Sequence, residues 1–168
     1  MEDENILNLN IGAIMSLLDK MIGFRVKYNP NEVLNIIEYL RDHGRFVTAH
    51  AAPRMRLPRQ CFTNATQCAL IPKYLYVEGY VIPKNLGGLP IEHAWIYDKD
   101  EGVHLDPTLP DAEGNQYFGI KFPQSMMLEL SSSEDLYRGN LLSTLSLNAF
   151  PEAKQRQYLA ALDSVNLL

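Results

Sequence analysis

Four segments rich in Tyr, Val, Ile, Phe and Trp follow one another between Tyr74 and Phe122, and only short turn clusters separate them. They are 74–82, 91–97, 103–105 and 117–122, each with the composition of a strand. Between them lie Pro83 with Gly87-Gly88-Leu89-Pro90, then Asp98-Lys99-Asp100-Glu101-Gly102 as a hairpin turn, then Pro110 to Asn115. A parallel crossover takes about a dozen residues or more. Linkers this short therefore predict an antiparallel meander, and whatever else the chain does must pack against it.

Helical patterns stand on both sides. Ile11, Ile14, Met15, Leu18, Met21 and Ile22 recur at spacings of three and four, which makes one apolar face. A second helix is announced by Asn29 as cap, Pro30 at the first helical position and Glu32 behind it. Val33, Leu34, Ile37 and Leu40 form its stripe, and Gly44 sits where a left-handed cap would end it. Phe46 to Ala49 has the composition of a short strand. Pro53 and Pro58 bracket a loop carrying Arg54, Arg56 and Arg59. From Gln60 to Ile71 there is no Gly or Pro, and Pro72 stops the run, so a helix opens at Cys61. The chain returns to helix at about 134–143 and from Pro151 to about Leu162, with Ser131-Ser132-Ser133 as loop and cap. Helices, strands, then helices predict an α+β fold. At 168 residues it reads as a single domain, with core motifs over about 55–122 and helical flanks over 1–45 and 124–168.

Charge narrows the function. Fifteen Lys and Arg against 20 Asp and Glu give a net charge of -5, against the basic surplus that nucleic-acid binding needs. No apolar run reaches the ~20 residues of a spanning helix, and Met1-Glu2-Asp3-Glu4 is the reverse of a basic secretory start, so a cytoplasmic setting is expected. Cys61 and Cys68 stand seven residues apart on one proposed helix. That is ~10 Å of rise, too far for a disulfide, so two free thiols are expected.

Cys61 is placed where a helix N-terminus favours a thiolate. His93 lies on the second strand in Glu92-His93-Ala94-Trp95, and Asp106 follows the third in Leu105-Asp106-Pro107-Thr108. If the turn at 98–102 closes a hairpin, imidazole and carboxylate come together on paired strands, supplying nucleophile, base and orienting acid in one region. The order Cys61, Gly79-Tyr80, His93-Ala94-Trp95, Asp106-Pro107-Thr108 resembles the transglutaminase-like branch of the papain-like cysteine enzymes. The likeness covers roughly residues 55–110, and the terminal helices carry no signature of that family. It implies a papain-like fold, with the nucleophile helix packed on an antiparallel sheet. It also implies a Cys-His-Asp triad acting on an amide or ester carbonyl, a protein substrate included, through a thioester and without a cofactor.

The ordinary readings stand beside these. A free Cys is most often a small buried apolar residue, and Cys68 is assigned to the core. His93 alone would be a satisfied core histidine, and Asp106 alone a strand-end cap. His104 shares a strand face with Asp106 by alternation, and is either a second imidazole near the site or a surface residue of the hairpin, the latter preferred. Gln60 and Asn64, beside Cys61, and Trp95, beside His93, are candidates for the oxyanion hole or pocket wall, with core packing as the alternative for Asn64 and Trp95. The three arginines are read as a solvated loop. No short paired ligand spacing points to zinc, and His43 and His50 receive no role. Two functions from different classes remain: a thiol-dependent acyl-transfer enzyme, or a binding module that keeps the fold with the triad idle.

Overall fold

A computed structural model describes residues 2–28, 32–86, 88–131, 140–147 and 150–167. In chain order the elements are α1 (Glu2–Tyr28), α2 (Ile36–His43), β1 (Arg45–Val47), β2 (Ala49–Ala51), α3 (Cys61–Ala69) and β3 (Tyr74–Ile82). Then come β4 (Ile91–Asp98), β5 (Val103–Asp106), β6 (Gln116–Phe122), α4 (Gln124–Ser131), α5 (Leu141–Leu147) and α6 (Glu152–Asn166). The class is α+β: one six-stranded sheet with flanking helices. Among the described residues no helix is long and apolar enough to cross a membrane.

The sheet runs β1-β6-β3-β4-β5-β2. The β3–β4 and β4–β5 hairpins are antiparallel, as the short turns require. In the second turn Asp98 Oδ1 accepts from the amides of Asp100 and Glu101, and Gly102 takes a φ of 69°. Two expectations are corrected. The sheet is mixed, because β2 lies parallel to β5. The meander also breaks after β5, since β6 lands beside β3, antiparallel, rather than beside β5.

Both corrections have one cause. β1 and β2 are a single extended stretch interrupted only at Thr48, yet β1 pairs with β6 at one end of the sheet and β2 with β5 at the other. A short stretch reaches both ends only if the sheet curls until β5 and β6 stand one strand apart. Segment 107–115 then has only that strand to cross. Paired glycines allow the curl. Gly79 faces Gly119 across β3 and β6; a Cβ at Gly79 would lie 2.1 Å from the Phe118 carbonyl, and one at Gly119 would lie 2.6 Å from the Trp95 ring.

The two faces differ. Tyr76, Tyr80, Ala94, Ile96, Phe118 and Ile120 point outward into the main core, which they share with Ile14, Leu18 and Ile22 of α1, Ile37 and Leu40 of α2, Ala65 and Cys68 of α3, and Leu162 of α6. Helices from both flanks thus bury against the same sheet face. The inner face carries Val77, Val81, Trp95 and Tyr117.

The helix ends differ in detail from the sequence reading. Asn29 and Pro30 lie outside the described residues, and α2 is capped instead by Asn35, whose Oδ1 accepts from Ile37 and Glu38. Val33 and Leu34 precede the helix and donate their amides to Gln155 of α6. Gly44 has a φ of -60°, so no left-handed cap forms; glycine is needed because a Cβ there would meet the Phe118 ring at 2.4 Å. Helix α3 ends at Ala69, two residues early, where Gln124 donates to the carbonyls of Ala69 and Leu70. The expected helix over 134–143 lies mostly outside the described residues, which resume before α5 at Leu141. Ser131 ends α4, which falls within the helical flank expected over 124–168 but ahead of the helix placed at about 134–143.

Candidate active site

Cys61 is the first residue of α3 and is partly exposed; Gln60 before it supplies no side-chain cap. The first amides of the helix are therefore left for other acceptors. Arg59 enters this turn with a φ of 62°, a left-handed conformation that costs a non-glycine residue about 1 kcal/mol. The surrounding loop is tied down at Arg56, whose amide donates to the Pro107 carbonyl beside Asp106.

Helix α3 packs across β3 and β4, which brings its start to His93. His93 sits opposite Gly79 in the β3–β4 register. Its Nε2 meets Asp106 Oδ2 at 2.7 Å, both side chains being almost wholly buried. Nδ1 is thus the nitrogen left for the thiol. Burial pulls the His93 pKa down, but hydrogen bonding to Asp106 and then to Cys61, together with their charges, outweighs it and raises the value to about 9. The pairing with Asp106 thus favours the protonated imidazole.

Asp106 has no freedom to turn. Oδ2 accepts from His93 and from the Tyr117 hydroxyl at 2.8 Å, while Oδ1 accepts from the amides of Thr108 at 2.8 Å and Leu109 at 2.9 Å. Burial pushes its carboxyl upward, yet the His93 contact and these amides hold it below the ordinary carboxylate value. Burial and the adjacent Asp106 charge push the Tyr117 hydroxyl well above its usual pKa, so it remains a donor.

The structure brings Cys61, His93 and Asp106 together, and gives each of the other candidates its own surroundings. Asn64 is buried, and its Nδ2 donates to the Leu57 carbonyl at 2.6 Å and Thr108 Oγ1 at 2.9 Å. It fastens the loop before Cys61 to the strand end after Asp106, and has no amide proton left for a pocket. Gln60 is exposed at the helix mouth. Trp95 is fully buried, stacked on His93 with ring centres 6.3 Å apart and planes inclined by 15°. It walls an inner cavity behind the imidazole rather than a slot at the thiol. His104 is not a surface residue of the hairpin; it is partly buried, and its Nδ1 accepts from Trp95 Nε1 at 2.9 Å. Arg56 donates from Nε to Cys68 Sγ at 3.1 Å, and Cys68 is buried. Among the described residues no three His, Cys, Asp or Glu side chains are grouped to hold a metal ion.

Tyr117, which holds Asp106, and the buried Glu78 on the other face of the sheet both escaped the sequence reading. Tyr117 was legible only as one more aromatic of a strand. Glu78 carried a signal, a carboxylate in the middle of Tyr-Leu-Tyr-Val-Glu-Gly-Tyr-Val-Ile, and it is buried on the outer face one residue from Gly79. Tyr76 donates to its Oε2 at 2.6 Å, and the amides of Leu141 and Leu142 donate to its two oxygens at 2.8 and 3.0 Å. Burial raises its pKa to about 7 against the pull of those donors. Compared with protein-family models, with curated proteins and with solved structures, the chain matches none of them.

Proposed function

We propose that this protein is a thiol-dependent acyl-transfer enzyme of the transglutaminase-like, papain-like type, in which Cys61, His93 and Asp106 act as nucleophile, base and orienting acid. The observation that carries the reading is the Asp106 carboxylate, fixed by four hydrogen bonds and holding an imidazole whose second nitrogen is left for a thiol at a helix start.

The chemistry follows from that arrangement. The thiol proton passes to His93 Nδ1, which gives the imidazolium and frees the sulfur as nucleophile. The sulfur lone pair attacks an amide or ester carbonyl carbon, and the carbonyl π pair moves to oxygen. In this reading the Cys61 amide donates to that oxyanion. As the oxyanion collapses, the bond to the leaving amine or alcohol breaks and the His93 imidazolium supplies its proton, leaving a thioester. His93 then takes a proton from water or from an acceptor amine as it attacks, and the thiolate departs. Water makes the enzyme an amide, peptide or isopeptide hydrolase, and an amine makes it a transferase. Two unpaired thiols suit the reducing cytoplasm.

The test is intact-mass spectrometry of the native protein incubated with a broad set of amide and ester acyl donors. One acyl adduct on Cys61, absent in Cys61→Ala and retained in Cys68→Ala, is the expected result. No adduct, together with slow and equal alkylation of both cysteines across pH, would instead favour a binding module whose triad is idle.

A further inference from the structure

The inner face of the curled sheet holds a second set of functional groups at the far end from Cys61. Strand alternation and register put Arg45, Trp95, Tyr97, His104, Gly119 and Lys121 on that face. They line a cavity of about 290 Å³ with Asn166 and Leu167 of the C-terminal segment. A larger cleft of about 610 Å³, lined in part by Phe46, Thr48, Val103 and Gln116, shares Val47 and His104 with it and opens toward solvent.

The lining is cationic and unbalanced. Lys121 is partly buried, with Nζ 5.1 Å from the centre of the Tyr97 ring, and Arg45 stands exposed on the same wall. Neither makes an ion pair with a carboxylate among the described residues. Burial first, and then the Arg45 charge, pushes the Lys121 ammonium below its ordinary pKa. Burial, with Lys121 adding to it, lowers His104 to about 4. His104 is therefore neutral, and because Nδ1 accepts the Trp95 indole proton, its own proton sits on Nε2. Two cations and one fixed N–H donor thus share a small, partly dry space, and no Asp or Glu among the described residues lines it. Like charges brought together out of water repel strongly, and an anion between them removes the repulsion.

We infer that this inner cavity is a binding site for a small oxyanionic group, phosphate or carboxylate, held by Arg45, Lys121 and His104 Nε2. Water in the liquid occupies about 30 Å³ per molecule, so the space takes a small oxyanion and several waters. The neighbouring cleft gives such a ligand its route in. Trp95 separates the site from the imidazole of His93, on which its ring stacks, so the site is distinct from the thiol centre. The inference does not depend on the acyl-transfer reading.

Isothermal titration of the full chain with inorganic phosphate and with acetate, at fixed ionic strength set by sodium chloride, tests it. Saturable binding of one equivalent is expected, weakened at least tenfold in Lys121→Met and in Arg45→Gln and unchanged in Arg156→Gln on the exposed face of α6. The exposed Arg45 makes its variant decisive should Lys121→Met fail to fold. Tighter phosphate than acetate would assign a phosphate ligand, and the reverse order a carboxylate. No saturable binding of either anion to the native protein, or undiminished binding in Arg45→Gln, would overturn the site.

Discussion

The Tyr117 hydroxyl and the His93 imidazole share one oxygen of Asp106, at 2.8 and 2.7 Å. Strand β6, on the far side of β3 from β4, thereby sets the angle of an imidazole carried on β4. Tyr117→Phe removes one of the two restraints on that oxygen. A lost hydrogen bond to a charged group is worth about 1.5 kcal/mol or more, so kcat should fall about tenfold with KM little changed. Steady-state kinetics against the acyl donor found by mass spectrometry checks the split between kcat and KM.

Asp106→Asn should be much more severe. The amide oxygen still accepts from Thr108 and Leu109, so the strand end stays folded. The amide nitrogen, however, faces His93 Nε2 and Tyr117 as a donor, which forces the imidazole proton onto Nδ1, toward the thiol. In a triad of another family this exchange lowers the rate by about 10⁴. Single-turnover measurement of thioester formation should show the loss while Cys61 remains open to alkylation.

The histidine also predicts a stability profile. Its pKa is raised from 6.5 to about 9 in the fold, so the folded state holds the proton more tightly than the unfolded one. The resulting stabilisation is complete below pH 6.5, declines above it and is gone once the pH passes about 9. Asp106 works in the opposite direction: its depressed pKa contributes above the carboxylate range and is lost as acid protonates it. Thermal midpoints of the native protein and His93→Gln from pH 5 to 10 should therefore converge on the alkaline side. A gap of constant width over that range would contradict the pairing.

Glu78 should act over a lower window. Its pKa is raised from 4.5 to about 7, so its ionisation costs stability between those values, and the protein is more stable below pH 4.5 than burial of a charge would allow above 7. Glu78→Gln removes the titration while giving up one of the two amides at the start of α5, since only one amide oxygen remains to accept. The variant should start less stable, by about 1 kcal/mol, yet show a flatter midpoint between pH 4.5 and 7.

The glycines give a contrast in sign. At Gly79 a Cβ would meet backbone on the neighbouring strand, with Gly119 Cα at 2.6 Å as well as the Phe118 carbonyl, and backbone cannot step aside. Gly79→Ala should cost about 3 kcal/mol or more. Gly12, within α1, has nothing within 4 Å of the same position, and Gly12→Ala should gain about 0.5–1 kcal/mol from helix propensity. Urea unfolding of both variants checks the pair.

What the sequence revealed and what it hid divide along the range of the interactions. Hairpins are local, and Asp98 to Gly102 announced theirs correctly. The start of α3 was equally local, because Gln60 to Ile71 lacks breakers and Pro72 supplies one. The approach of His93 to Asp106 followed from that hairpin. The partners of Arg45 to Ala51 did not, because nothing near a three-residue strand states whether it will add to β5 or β6. Tyr117 was hidden for the same reason: its role exists only after β6 has crossed to β3. Asn64 was read at the right place with two duties left open, pocket or core hydrogen bond, since helix periodicity gives the face but not the carbonyl and hydroxyl oxygens that accept from it there.

The stretch from Arg45 to Ala51 that joins both ends of the sheet also bears on when the protein can fold. Arg45 pairs with Gly119 and Ala49 with His104, residues 74 and 55 places further along the chain. Closing such long loops is slow, and β-rich topologies with distant pairings fold on the scale of milliseconds to seconds. During synthesis this stretch leaves the ribosome well before either partner exists, at about 5–20 residues per second. For those seconds its amides and carbonyls are open to another chain. Its own composition limits the hazard: Arg45 and His50 flank Phe46 and Val47, and Pro53 ends the segment before it lengthens. Closing the sheet thus waits for β5 and β6, and the pairing of Ala51 with Asp106 then fixes the strand end whose carboxylate meets His93.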